Sequence, residues 1–371
     1  MAPLSTAHQT TKRIDFIDLA KALGIFLVVY AHTQLDERVQ NWIYVFHMPL
    51  FFFISGYLFR FARNKEWSLF AKKRFAQIVV PYILINAVTY LFWVFIGRHF
   101  GADSGDTTSV WSPLLAALTC HGEKMVHDVP LWFLLCLFII EIAYHAIFRG
   151  KTARQRWMYI AAFAAVGTLN CLYNHMLLPF SIGTALHGIV FYAVGNELRR
   201  HEEKGNTPQD AAYYCNKGEK TYRNKWKGTL ADTAMVCLCL AMTIVIAHAN
   251  GRINMHKNYY GNIVLFYLGG FSGIAMTLAA CRIAARWLHG SRVMGVVRII
   301  SNDTLYICGF HLMAFSLLKG VLVYGFGFNL AGLNDTIFAN LAFSAAALAV
   351  CTCAICLARR WVPTRQHSAQ T

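Results

Sequence analysis

The sequence predicts an all-α, polytopic membrane protein: a bundle of about ten transmembrane helices with both termini in the cytoplasm. Three observations carry that expectation. The chain of 371 residues is 57% hydrophobic and only 14% charged, whereas soluble domains hold about 45–50% apolar and about 25% charged residues. Its apolar residues come in continuous runs near the length of about 20 residues that a spanning helix needs, not in the alternating segments of about ten that mark a membrane barrel. The basic residues, finally, alternate in density from loop to loop.

The runs fall near 15–35, 42–60, 76–97, 129–148, 157–173, 178–198, 230–249, 261–281, 299–321 and 337–357. With the N-terminus inside, 27 Lys and Arg lie on inner segments and six on outer ones, and Lys21 lies within a span. Such asymmetry orients a chain in the membrane. It also explains the net charge of +16 without nucleic acid, because the charge is spread over several loops. The first 13 residues hold no apolar core or cleavage site, so the first span is expected to stay as an anchor. No repeat or soluble linker divides the chain; 1–371 reads as one integral-membrane domain with its core over 13–357.

Eleven cysteines occur, most inside apolar runs and without zinc spacing. They read as small hydrophobes, and no metal is expected. GGFSG at 269–273 lies inside a span and reads as a helix-packing surface rather than a phosphate loop.

The first span, "RIDFIDLAKALGIFLVVYAH", carries Asp18, Lys21 and His32. At about 100° and 1.5 Å per residue, Lys21 and His32 share a face to within roughly 20° and stand about 16 Å apart. Alone, the lysine would read as snorkelling and the histidine as interfacial. Together they point to a polar interior, because ionisable groups in spans face a bundle core or a wet cavity. The second span, "YVFHMPLFFFISGYLF", puts His47 at a depth like that of His32, with Pro49 and Ser55–Gly56 deeper. The fourth holds Glu141, for which Lys21 is at a suitable depth. The ninth, "ISNDTLYICGFHL", holds Ser301, Asn302, Asp303, Tyr306 and His311, the histidine level with His32 and His47. His187, midway along the sixth span, fits a ligand or a helix contact equally. Lys72, Lys73 and Arg74 form a basic run at the inner edge of the third span, where a polyanion could dock or lipid could be met.

These stretches, with "VVPY" and "PLWFLLCLF", resemble the acyltransferase 3 family of integral membrane O-acyltransferases, in particular its fucose 4-O-acetylase-like branch. The resemblance covers roughly 13–320. It implies an essential basic residue and histidine in the first span, matching Lys21 and His32. It implies a pair of basic residues three apart before the Pro-Tyr of the third span; here Arg74 matches the first and Gln77 stands at the second. It further implies acetyl-CoA or another acyl-CoA as cytoplasmic donor, a glycan hydroxyl (surface polysaccharide or lipid-linked sugar) as acceptor, and a place in the bacterial inner membrane among its lipids. Some members carry a C-terminal soluble domain, which is not expected here. A homo-oligomer is compatible with the sequence.

The chemistry that fits is acyl transfer with a general base. A sugar hydroxyl is a poor nucleophile, so a neutral imidazole must take its proton during attack. His32 is the first candidate, held by His47 or, through a water, by Asp303. Lys21, Tyr306 and Ser55 could support the developing oxyanion, and Lys72, Lys73 and Arg74 could bind the donor's phosphates. Direct transfer and an acyl-histidine relay both fit. The same buried ionisable groups would also suit a proton-coupled transporter or a glycan flippase, and a sensor without chemistry is a third reading.

Overall fold

The computed structural model describes residues 13–63, 66–100, 109–120, 125–173, 178–205, 220–329 and 336–361. Among these residues the regular structure is helical apart from a single bridge between Asn254 and Tyr259. The helices are α1 (Asp15–Ala31), α2 (Glu37–Leu58), α3 (Trp67–Gly97), α4 (Trp111–Thr119), α5 (Trp132–Phe148), α6 (Ala153–Tyr173), α7 (Ile182–Gly205), α8 (Lys220–Asn250), α9 (Ile263–Leu288), α10 (Arg292–Gly320) and α11 (Ile337–Trp361).

Each of the ten apolar runs lies on a helix. Among the described residues, six segments are long and apolar enough to cross a membrane: Trp67–Gly97, Val129–Phe148, Gly228–Asn250, Ile263–Leu288, Arg292–Gly325 and Ile337–Arg360. The other four runs lie on α1, α2, α6 and α7, which are shorter or have polar ends. Of these, α1 and α2 are central. Helix α1 packs against α2, α9, α10 and α11, and α2 against α1, α7, α8 and α9. Such enclosure lets a helix carry Lys or His without meeting lipid.

Close approach is written into the small residues. A Cβ added at Gly56 of α2 would lie 1.8 Å from the Tyr192 carbonyl oxygen of α7, and one at Gly195 would lie 2.2 Å from the Phe53 carbonyl oxygen. Asn196 reinforces the contact, its amide donating to the carbonyls of Gly56 (2.9 Å) and Phe59 (2.8 Å). GGFSG packs as expected: a Cβ at Gly269 or Gly273 of α9 would stand 2.5 Å from Val45 or 2.2 Å from Phe46 of α2.

Several helices start earlier than their apolar runs, and in α3 and α10 the extra turns carry basic residues that bear on the site. Helix α3 begins nine residues before the expected span, so Lys72, Lys73 and Arg74 are helical. Pro81 removes one hydrogen bond from the turn before it and crowds the carbonyl four residues back. A π segment over Phe75–Val79 absorbs the misfit, and the Val80 N–H reaches back five residues to Phe75. Helix α10 begins at Arg292, where the Ser291 hydroxyl accepts from the Met294 N–H (3.2 Å), a standard N-cap. Its first two turns therefore carry Arg298 into the bundle end.

The two ends of the bundle differ in chemistry. One end, called here the basic end, gathers Arg13, Arg74, Arg156, Arg282, Arg298 and Arg359. The other gathers His32, His47 and His311 and is called the histidine end.

Candidate active site at the histidine end

Helix α1 stops at Ala31, and His32 occupies its C-cap. The His32 and His311 rings meet edge to face, centroids 5.0 Å apart. His47 lies 5.0 Å from Tyr44 on α2. His47, His311 and His256 all lie within the electrostatic reach of His32. His47 and His311 are buried, and His32 is half-buried.

A common hydrogen-bonding pattern sets what these rings can do. His32 Nδ1 bonds the Val28 carbonyl (2.7 Å), His47 Nδ1 the Ile43 carbonyl (2.8 Å) and His311 Nδ1 the Cys308 carbonyl (2.8 Å). A carbonyl only accepts, so Nδ1 must carry the proton. The neutral ring then presents a lone pair at Nε2, the tautomer a general base requires. His311 Nε2 is buried and, among the described residues, meets no hydrogen-bond partner.

The loop between α8 and α9 closes this end. Arg252 stands over the Tyr44 ring, 5.7 Å from its centroid. His256 lines a cavity with Cys120, Ser181, Gly183, Thr184 and Asn258. Three of these, Cys120 (φ 51°), Ser181 (φ 57°) and Asn258 (φ 54°), adopt the left-handed backbone without being glycine, at a strain of roughly 1–3 kcal/mol each. Burial first, then the charges of Lys257, His32 and Arg252, hold His256 down at about 4. Nearby, Asp128 is fully buried, and neither carboxylate oxygen meets a partner among the described residues. Burial pushes that carboxyl well above its usual range and holds its neighbour His127, bonded to Asn86 Oδ1 at 3.0 Å, at about 4.

Sequence reasoning missed Tyr44, His127, Asp128, Arg252 and His256. For Arg252 and His256 the available signal is "NGRINMHKNYYGN", a loop dense in polar and aromatic residues. His187 takes the helix-contact alternative, bonding Tyr267 Oη at 2.7 Å and lying 3.2 Å from Cys171 Sγ.

At the basic end the expected partners change. Lys21 faces the bundle, within electrostatic reach of Asp18 and Asp303. Asp18 is held by Arg13 (2.6 Å) and by the Ser301 hydroxyl (2.6 Å), and Asn302 accepts from Arg13 (2.9 Å). Glu141 does not pair with Lys21: Arg74 grips it through two hydrogen bonds. Those carboxyl and guanidinium groups are on adjacent helices α5 and α3, a proximity the linear chain does not show. Asp303 cannot orient His32 through a water. It pairs with Arg359 of α11, and eight residues of α10, about 12 Å, separate it from His311. Ser55 lies eight residues from His47, again about 12 Å toward the basic end. Tyr306 is half-buried against the main apolar core. None of Ser55, Glu141 and Asp303 joins the histidines.

Arg74 also donates to Gln77 Oε1 (2.7 Å), so glutamine at that position serves the guanidinium rather than a ligand. Lys72 and Lys73 are exposed on the same helix. Between the two ends, Ile25, Val28, Ile307 and Cys308 form a buried apolar layer across the α1–α10 interface.

Residues 14–359 match the model of the acyltransferase domain that defines the acyltransferase 3 family. The chain belongs to that family. No curated protein and no solved structure matched it in the same comparisons. Family and helical bundle together make this acyltransferase 3 member a multi-pass membrane acyltransferase.

Proposed function

We propose that this acyltransferase 3 member moves an acetyl or similar acyl group from acyl-CoA to a hydroxyl of an exported or surface glycan, with His32 as general base. The observation that carries the reading is the convergence of histidines at one bundle end, each with Nδ1 tied to a carbonyl and Nε2 left to act. The basic end faces the cytoplasm of an inner membrane and receives the donor. Lys72 and Lys73 attract its phosphates, while Arg74, committed to Glu141, shapes the helix that presents them. The uncharged acyl thioester is the part of the donor suited to pass the apolar layer.

At the histidine end the acceptor oxygen attacks the acyl carbonyl as its proton passes to His32 Nε2. The carbon–sulfur bond breaks, and the proton held by His32 returns to the leaving thiolate. His311 and His47 keep the approach to His32 polar. General-base assistance of this kind contributes about 10²–10⁴-fold. An acyl-histidine relay would use the same nitrogen, so the residue assignment holds for both routes. Transport is less well supported, because the apolar layer interrupts the row of ionisable groups that a proton path needs.

The test is incubation of the purified protein with labelled acetyl-CoA and membranes of the source cell. Label in glycan supports the enzyme. Solute uptake without label overturns it. Normal glycan labelling by His32→Ala removes His32 from the mechanism.

A further inference from the structure

The arginines of the two ends are satisfied in different ways. At the basic end Arg13, Arg74, Arg156, Arg282, Arg286, Arg298 and Arg359 each pair with a carboxylate of this chain. At the histidine end, among the described residues, no carboxylate pairs with Arg252. Its guanidinium rests instead on the face of Tyr44, an arrangement that fixes the cation without neutralising it. Tyr44 in turn touches His47, and the same loop sends His256 into the cavity and within the fields of both Arg252 and His32. Among the described residues, then, no carboxylate cancels this exposed guanidinium, which is held one side chain away from the imidazoles.

We propose that Arg252 binds an anionic group, carboxylate or phosphate, on the acceptor, and so places a neighbouring hydroxyl before His32. This rests on the acyltransfer reading given above and adds a substrate class to it: an acidic sugar or a sugar phosphate rather than a neutral one. The planar guanidinium suits either anion, because its N–H groups match two oxygens at once. The contact with Tyr44 restricts the side chain, which reduces the entropy lost when the anion arrives. Beside His256, Cys120, Ser181, Thr184 and Asn258 line a cavity about the size of one water, room for a bridging water between His256 and the ligand rather than for the sugar itself.

The experiment is equilibrium binding of labelled methyl glucuronide, methyl glucoside 6-phosphate and methyl glucoside to the full chain in phosphatidylcholine nanodiscs. At least one anionic probe is expected to bind tenfold or more tightly than the neutral glucoside. Arg252→Gln should bring the ratio to within about twofold, and Arg252→Lys should keep part of it. Unchanged thermal midpoints show that both variants fold. Equal binding of all three probes, binding of none, or an undiminished preference in Arg252→Gln overturns the proposal. Displacement of the anionic probes by phosphatidylglycerol in the nanodisc identifies the bound anion as a lipid headgroup and also overturns it. Arg252-dependent binding in a protein that never transfers label from acetyl-CoA would sink the enzyme reading and the placement before His32, leaving only the anion site.

Discussion

Asp18 and His32 sit on one helix, fourteen residues apart, yet in opposite kinds of surroundings. Asp18 has its charge answered by Arg13 and Ser301, and the carboxylates around it are answered likewise: Asp15 by Arg298, Asp303 by Arg359 and Glu141 by Arg74. His32 and His311 each have Nδ1 tied to their own helix, and His311 Nε2 is buried without a partner among the described residues. The same broad class, ionisable residues in apolar helices, therefore divides into groups that hold helices together and groups without a charged partner among the described residues, to which the proposed function assigns the proton transfer. Saturated partners mark the first kind. Open valences mark the second.

The sharpest way to break that contrast is His32→Ala. Acyl transfer should fall by about 10²–10⁴-fold, measured as label passed from acetyl-CoA to glycan, with membrane insertion and thermal midpoint near those of the parent. A large loss of stability would move His32 to the structural side.

Glu141→Leu should do the reverse. It leaves the Arg74 guanidinium without its carboxylate, and removal of one partner of a buried pair costs about 3–5 kcal/mol. The double replacement Arg74→Met with Glu141→Leu should recover most of that loss in a denaturant titration. If the double variant folds well yet shows an unchanged Michaelis constant for acyl-CoA, Arg74 has no part in donor binding.

The histidine end should also show itself in pH. His127 and His256 stand at about 4 in the fold, against about 6.5 in an unfolded chain. Between those values the unfolded state binds more protons, so stability rises with pH. It should decline as pH falls from about 6.5 to about 4, by at most about 1.4 kcal/mol per unit for each histidine. Thermal midpoints of His127→Gln and His256→Gln should show a shallower decline than the parent; an unchanged slope would refute the assignment.

The smallest effect belongs to Lys72→Ala with Lys73→Ala. Exposed charge pairs contribute about 0.2–1 kcal/mol each, so the Michaelis constant for acyl-CoA should rise about two- to thirtyfold. The rise should shrink in high salt.

Much of this was readable along the chain. Continuous apolar runs located the helices, and helical periodicity put Asp18, Lys21 and His32 on an inward face. Counting depth from the span ends placed His311 level with His32, and the two rings touch. What escaped were partnerships across long separations. Glu141 and Arg74 are 67 residues apart and Asp303 and Arg359 are 56 apart, and nothing local selects those pairs over Lys21. The loop residues Arg252 and His256 escaped for a different reason. Charge counting treats a loop arginine as a topology signal, and only the folded chain shows it lying on Tyr44. The early start of α3 depended on a π turn before Pro81 that apolar periodicity does not register.

The layer of Ile25, Val28, Ile307 and Cys308 has a bearing on the cell's energy supply. Any protein that catalyses chemistry between two compartments risks short-circuiting the proton gradient that separates them. A greasy collar two residues deep on each helix offers no stepping stone to a proton or a sodium ion. A membrane crossed by helices packed in this way stays an insulator even though their ends carry buried charge.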